Sequence, residues 1–336
     1  MWSPHHTSTC TCTATSRGPE KFFLYEFIAN KQTSVDVDKW DYMLRSLSRP
    51  PVSSSGNGGN IDLVCPLLNY IAATRDAAAM DVKTIFNYQR FINNSDITMV
   101  EGKMRLCIRD KEKENVGYLF QDRSRLHKNY YQHKTVKVVD RMTVDALLLA
   151  DPHLALLGKD AAGRVIRMSE ACDDVADFLK LSDDFVLRSI QFSAGPELAA
   201  ARRLVTRIAT RNLYKLVGEV TNAPGTARTA DACERQMNDI IRQERERGVP
   251  MNLEVGDVVV TKKKIGFGGV QNPLEKVIFF DKRSRPITCP VTEVMEAVAT
   301  VDTLLVMCKR GQEETLAIQE AKELFEKWLA QKQETK

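Results

Sequence analysis

The tract 112–150 constrains this chain most. Leu119, Leu126, Tyr130, Val138 or Val139, Met142 and Leu147 recur at three- and four-residue steps. That spacing places them on one face of an α-helix. Apolar periodicity sustained over such a length commits the chain to a helical core, and Pro152 ends the tract. Segments 169–192 and 196–218 read as two more helices. The second has Pro196 in its first turn and Gly218 just past its end, the asymmetry expected of helix termini. Shorter helices are expected within 22–31, 33–47 and 83–93, with Ser34 or Asp36 capping the second. Two short strands, 96–100 and 103–110, flank the turn-like pair Glu101-Gly102.

The rest of the chain divides by composition. Residues 1–18 are rich in Ser, Thr and Cys without periodicity and read as a disordered tail. Two prolines, three serines and three glycines in 49–60 break any helix, and 47–82 reads as an irregular insertion. Asn222-Ala223-Pro224-Gly225 reads as a linker. Beyond it, Thr229 to Gly248 carries an N-cap and a C-terminal glycine around a polar helix. Segments 255–264 and 274–282 read as strands, and 312–332 as an amphipathic helix. The expected architecture is mainly α: a helical part over 19–221, then a small α+β lobe over 222–336.

Hydrophobic residues make up 43% and charged residues 27% of the chain, which suits a globular protein and excludes collagen-like and disordered classes. Lys plus Arg is 48 against 44 Asp plus Glu, and a net charge of +4 does not by itself announce a nucleic-acid partner. The eight cysteines include no CxxC pair, which argues against a zinc ribbon or a disulfide scaffold and suits a reduced, intracellular setting. No apolar run approaches the roughly 18 residues a membrane helix needs, so no membrane partner is expected. Histidines number five: His5, His6, His127, His133 and His153.

Three constellations could carry chemistry. Asp38 and Tyr42 are four apart beside Asp36 and Lys39, so a helix would put them on one face. Carboxylates there can ligate a cation, but capping the helix is their commoner use. Arg123, His127 and Tyr131 fall at i, i+4 and i+8 on the long helix, with Lys134 after them. Such a stripe offers charge and directed hydrogen bonds to a phosphorylated ligand, and equally suits a solvated helix face. Arg90, Arg109, Lys111, Arg211 and Lys215 form a third set, of which Arg211 and Lys215 are i, i+4 on an expected helix. Gly266-Phe267-Gly268-Gly269 reads as a flexible turn rather than a phosphate loop, since no Lys-Ser/Thr follows it.

The strings FLYEFIANKQTSVDVDKWDYMLRS, FNYQRFI, RLCIRDKE, SRLHKNYYQHK, VVDRMTVDALLLAD and RNLYKLVGE resemble the SAM- and HD-domain-containing deoxynucleoside triphosphate triphosphohydrolases of vertebrates, as do QNPLEKVIFF and VMCKR. The resemblance runs from about 18 to 330, interrupted at 47–82. It implies the distal helical part of an HD-domain phosphohydrolase fold and cleavage of a dNTP to deoxynucleoside and triphosphate. It also implies a divalent metal (of the Zn, Fe, Mn or Mg type) and GTP or dNTP activators bound between subunits of a homo-tetramer. A nuclear location and single-stranded nucleic acid as a further partner come with it. By motif, Asp38 resembles a metal ligand. Asp36, Lys39, Tyr42, Arg123, His127, Tyr131 and Gln132 resemble substrate-pocket residues. Arg90, Arg109, Lys111, Asn115, His133, Lys134, Arg211, Lys215 and Lys309 resemble regulatory-nucleotide contacts.

The chain also departs from that pattern. No His-Asp dipeptide occurs in it, and His5 and His6 lie in the tail. Three of four metal ligands and the histidine acid are therefore expected to be missing. Ser46 stands where a pocket aspartate is expected and Asn129 where a regulatory arginine is. A single carboxylate holds a metal weakly, so the chain alone is expected to be inactive. The alternative reading is a non-enzymatic nucleotide-binding or oligomerisation remnant, or a truncated gene model.

Overall fold

The computed structural model describes residues 21, 23–30, 33, 35–48, 85–158, 160, 162–222, 228–265, 273–283, 285–287 and 301–334. The expected tail, almost all of the expected insertion, Ser34 as a cap and the 266–269 turn lie outside these residues. The described chain folds mainly as α-helix with two small sheets. It divides into two compact units. The first takes in the described residues of 21–48, 85–123 and 273–287, and the second those of 124–222, 228–265 and 301–334.

In the first unit, α1 (Phe23–Ile28) and α2 (Val37–Ser48) precede α3 (Tyr88–Asn93). Strands β1 (Ser95–Val100) and β2 (Lys103–Arg109) form an antiparallel hairpin. Its turn places Glu101 and Gly102 at φ 48° and 75°, the left-handed pair that a tight hairpin requires. Short strands β5 (Phe279–Phe280) and β6 (Pro286–Ile287) extend the sheet in the order β1-β2-β5-β6, with β5 parallel to β2. The expected strand 274–282 instead begins in a 3₁₀ turn, Pro273–Lys276, and has only two paired residues, Phe279 and Phe280. Buried Glu26 on α1 accepts the Arg105 guanidinium and the Leu106 N–H at 2.9 Å, tying α1 to β2. Trp40 of α2 and Phe86 meet Phe91 of α3 edge-on at 4.8 and 5.8 Å.

The expected single helix over 112–150 is three pieces. Helix α4 (Lys113–Leu126) leads into a π-helical turn, His127–Tyr131. After Gln132 and His133, α5 (Lys134–Ala150) starts afresh with His133 as its cap. Apolar spacing survives such a break, so periodicity alone could not see it. The expected helix 169–192 is likewise a 3₁₀ segment, the short α6 (Val175–Phe178) and α7 (Asp183–Phe192).

In the second unit, α8 (Ala199–Ala209), β3 (Lys215–Asn222), α9 (Ala230–Glu246), β4 (Val258–Ile265), β7 (Val301–Cys308) and α10 (Thr315–Glu334) follow. The antiparallel sheet runs β3-β7-β4. Leu305 and Met307 of β7 join a core with α5, α7 and α8, while Leu304, Val306 and Cys308 join a core with α9 and α10. A strand covered on both faces reads as a continuous apolar run, TLLVMC, and not as an alternation. For this reason sequence reading passed over β7.

The helix expected over 196–218 ends at Ala209. Arg211 turns left-handed at φ 59°, and Gly218 sits inside β3 rather than past a helix end. A Cβ on Gly218 would lie 2.2 Å from the Phe325 ring of α10. Its glycine is there for close approach. Gly218→Ala should lower stability by about 1–3 kcal/mol through overpacking. An unchanged denaturation midpoint would instead mean that the ring yields at no cost.

Candidate functional site

The first group of candidates sits where the chain enters α2. Asp36 is buried and caps the helix: its Oδ1 accepts the Lys39 N–H at 3.2 Å. Its Oδ2 accepts the Asn30 N–H at 3.1 Å, and Lys39 Nζ lies 3.3 Å from both oxygens. Asn30 Oδ1 in turn accepts from the Thr33 N–H at 2.9 Å, so the entry turn is held by side chains. Asp36 thus orients Lys39 and has little carboxylate left for a ligand. Asp38 is exposed in the first turn, and Tyr42 is half-buried one turn later.

The second group centres on a residue that sequence reading missed. Glu112 is fully buried. Its Oε1 accepts from Arg90 Nη2 at 2.9 Å and Asn94 Nδ2 at 3.2 Å, and its Oε2 from Asn115 Nδ2 at 3.1 Å. Asn115 also clasps the backbone of Asn87, accepting its N–H at 2.7 Å and donating to its carbonyl at 2.8 Å. Arg90 and Asn115, far apart in sequence, are therefore brought together by one carboxylate. Arg109 lies at the end of β2, its guanidinium 5.5 Å from the Phe280 ring centroid, and Lys111 is exposed two residues on. The signal that could have found Glu112 is an acid set among Arg109, Lys111 and Lys113 with an asparagine three residues later. Arg123 is half-buried on α4. Beside it, buried Asp122 accepts the Ile85 and Phe86 N–H groups at 2.9 and 3.0 Å.

In the second unit, the π-helical turn changes the expected i, i+4, i+8 stripe. His127 and Tyr131 meet edge to face at 5.2 Å. A π-turn often marks a functional position, because it re-aims side chains within a helix. Gln132 closes the turn. Its Nε2 donates to the Lys264 carbonyl at 2.7 Å, and its Oε1 accepts the Lys264 N–H at 3.1 Å. His133 Nδ1 accepts the Thr135 N–H at 3.2 Å as the cap of α5, and Lys134 is the exposed first residue of that helix. Lys215 opens β3, and Arg211 lies in the left-handed turn, so the two do not share a helix face. Lys309 Nζ lies 3.4 Å from Asp145 Oδ2, the same oxygen that accepts the Tyr214 hydroxyl at 2.9 Å. Burial and the adjacent Asp145 hold the Tyr214 phenol well above its usual range, so it stays a donor.

No family model matches the chain. Among curated proteins, deoxynucleoside triphosphate triphosphohydrolase SAMHD1 of Danio rerio is 30% identical over 329 residues, 95% of this chain and 47% of that protein. The Homo sapiens protein of the same name is 28% identical over 326 residues, 95% of this chain and 46% of its own. The SAMHD1 homolog of Dictyostelium discoideum is 30% identical over 204 residues, 61% of this chain and 30% of its own. The chain belongs to this family as a partial match. It spans about half the length of the curated relatives it matches.

For the triphosphohydrolase family a divalent metal is implied, and the described residues do not fit one. Asp38 is a lone exposed carboxylate, and the oxygens of Asp36 are taken by two N–H groups and Lys39. Among the described residues no three His, Cys, Asp or Glu side chains gather to hold an ion. What the arrangement offers is cations held by carboxylates: Lys39 on Asp36, Arg90 on Glu112, Lys309 on Asp145. Among the described residues no helix is long and apolar enough to cross a membrane.

Proposed function

We propose that this chain is the nucleotide-handling part of a dNTP triphosphohydrolase, and that these 336 residues alone bind a dNTP without turning it over. One observation carries the reading: relatives bearing the triphosphohydrolase name match 95% of the chain. The reaction breaks the bond between the 5′ oxygen and the α-phosphorus, with water supplying the new oxygen. Its charge lies on the triphosphate, and Lys39 and Arg123 are the groups proposed to hold that charge. Asp36 would act through Lys39, which it orients. By the family resemblance Tyr42, His127 and Gln132 are further substrate contacts, with Tyr131 the ring that packs on the sugar. The departing 5′ oxygen needs a proton, and the histidine that the family resemblance gives for this has no match in the sequence. Metal at Asp38 would likewise lack its partners.

Regulation by GTP or dNTP, in a nuclear homo-tetramer, belongs to the same proposal. Arg90 and Asn115, clamped on Glu112, are its firmest elements, with Arg109, Lys111, His133, Lys134, Arg211, Lys215 and Lys309 as further contacts. The test is triphosphate release from dGTP with Mg²⁺ or Mn²⁺ and GTP, alongside calorimetric titration of dGTP. With the regulatory contacts filled by excess GTP, the remaining dGTP binding is expected to be lost in a Lys39→Ala/Arg123→Ala variant, and triphosphate release by the parent to be no faster than by that variant. Turnover well above the variant's would overturn the inactivity. An equal response to dGTP in parent and variant, with excess GTP present, would overturn the assignment of Lys39 and Arg123.

A further inference from the structure

The second unit contains a cleft of about 810 Å³, walled by the last turns of α5, by α8 and by the residues after β7. Its size suits a small organic molecule. Leu148 and Leu149 of α5 are exposed on it. On α8, Arg203 and Arg207 are four apart and so lie on one face, and both line the cleft.

The charges in the cleft are unevenly used. Arg310 is bound to Asp257 at 2.7 Å and to Glu314 at 3.1 Å. Those carboxylates also accept the Glu254 and Gly311 N–H groups, at 2.7 and 2.8 Å. Lys309 is engaged by Asp145. The two α8 arginines differ. Arg203 is exposed. Arg207 donates from Nε to the Asn212 carbonyl at 3.0 Å and lies 5.4 Å from the Tyr214 ring centroid, yet its Nη2 is buried with no hydrogen-bond partner among the described residues. A buried guanidinium donor left unmet is a standing demand for an acceptor.

We propose that this cleft binds a small organic anion with a single carboxylate or phosphate head on Arg203 and Arg207 and an apolar body on Leu148 and Leu149. Guanidinium groups offer paired N–H donors that match two oxygens of either head. Arg310 is spent on Asp257 and Glu314 and Lys309 on Asp145, so the anionic head is left to the two α8 guanidinium groups. The inference stands whether or not the chain handles dNTPs, and it uses neither Lys39 nor Arg123.

Calorimetric titration of the full chain with phenyl phosphate, benzoate, inorganic phosphate and inorganic triphosphate tests it. Saturable binding of phenyl phosphate or benzoate at millimolar concentration or below is expected, about tenfold weaker in Arg203→Gln. Which of the two binds tells ester from carboxylate. Inorganic phosphate should bind more weakly than the organic probe, and any binding of triphosphate at Lys39 and Arg123 should be the same in Arg203→Gln. Arg203 is exposed, so its variant should melt like the parent. The proposal falls if neither organic probe saturates, if Arg203→Gln binds them equally well, or if Arg203→Gln weakens triphosphate as much as it weakens the organic probe.

Discussion

Replacing Glu112 by alanine should lower the stability of the first unit by about 3 kcal/mol or more, read as a drop in the denaturant midpoint at unchanged slope. The carboxylate is fully buried, and three side chains converge on it. Removing the acceptor leaves the Asn115 amide unmet in a dry space, at about 1–3 kcal/mol, and the emptied side-chain volume and the lost Arg90 and Asn94 bonds add to it. Arg90 keeps the loss near the lower bound, because its side chain is 59% exposed and can rehydrate. Glu112→Gln should recover only part. One of its oxygens becomes an NH₂ group, which would meet the Asn115 NH₂ donor, and Asn115 cannot flip without breaking both of its bonds to Asn87. A loss below about 1 kcal/mol in the alanine variant would mean that water replaces the carboxylate.

The largest expected loss in the second unit comes from Trp328→Ala. Trp328 is 1% exposed, stacks on Phe325 at 6.2 Å and takes the Arg228 guanidinium at 6.0 Å. Its Nε1 donates to Gln236 Oε1 at 3.1 Å. Truncation should cost about 3–5 kcal/mol, the range for emptying a large buried aromatic site. Trp328→Phe should cost about 1–2 kcal/mol, since it keeps most of the apolar area and loses a bond whose partner is exposed. Thermal melting of the pair separates volume from hydrogen bonding. Equal losses would put the weight on the indole N–H.

Both residues bear on what the sequence disclosed. Trp328 lies in a helix whose amphipathic spacing was legible. So were the Glu101-Gly102 hairpin, the Asp36 cap and the Thr229–Gly248 helix, because each is written in neighbouring residues. Glu112 was not legible, since two of its three partners lie 18 and 22 residues away on another element. Strand β3 was hidden for a related reason. Gly218 resembles a helix stop until Phe325, more than a hundred residues on, is known to press against it. Family resemblance names Arg90, Asn115, Lys39 and Gln132 as ligand contacts, but only the fold shows that a carboxylate holds each of the first three and a strand backbone the fourth.

Edge strand β4 has a consequence of its own. Several of its outward backbone groups are met by side chains: Val258 O by Asn238, Val260 N by Glu234, and Lys264 N and O by Gln132. An open strand edge is a template on which another chain can stack, and long assemblies grow from such contacts. These polar side chains act as a false neighbouring strand that leaves little to copy. Gln132 therefore answers to solubility as well as to any nucleotide, and a change that sharpened ligand preference at that position would also unseal the sheet.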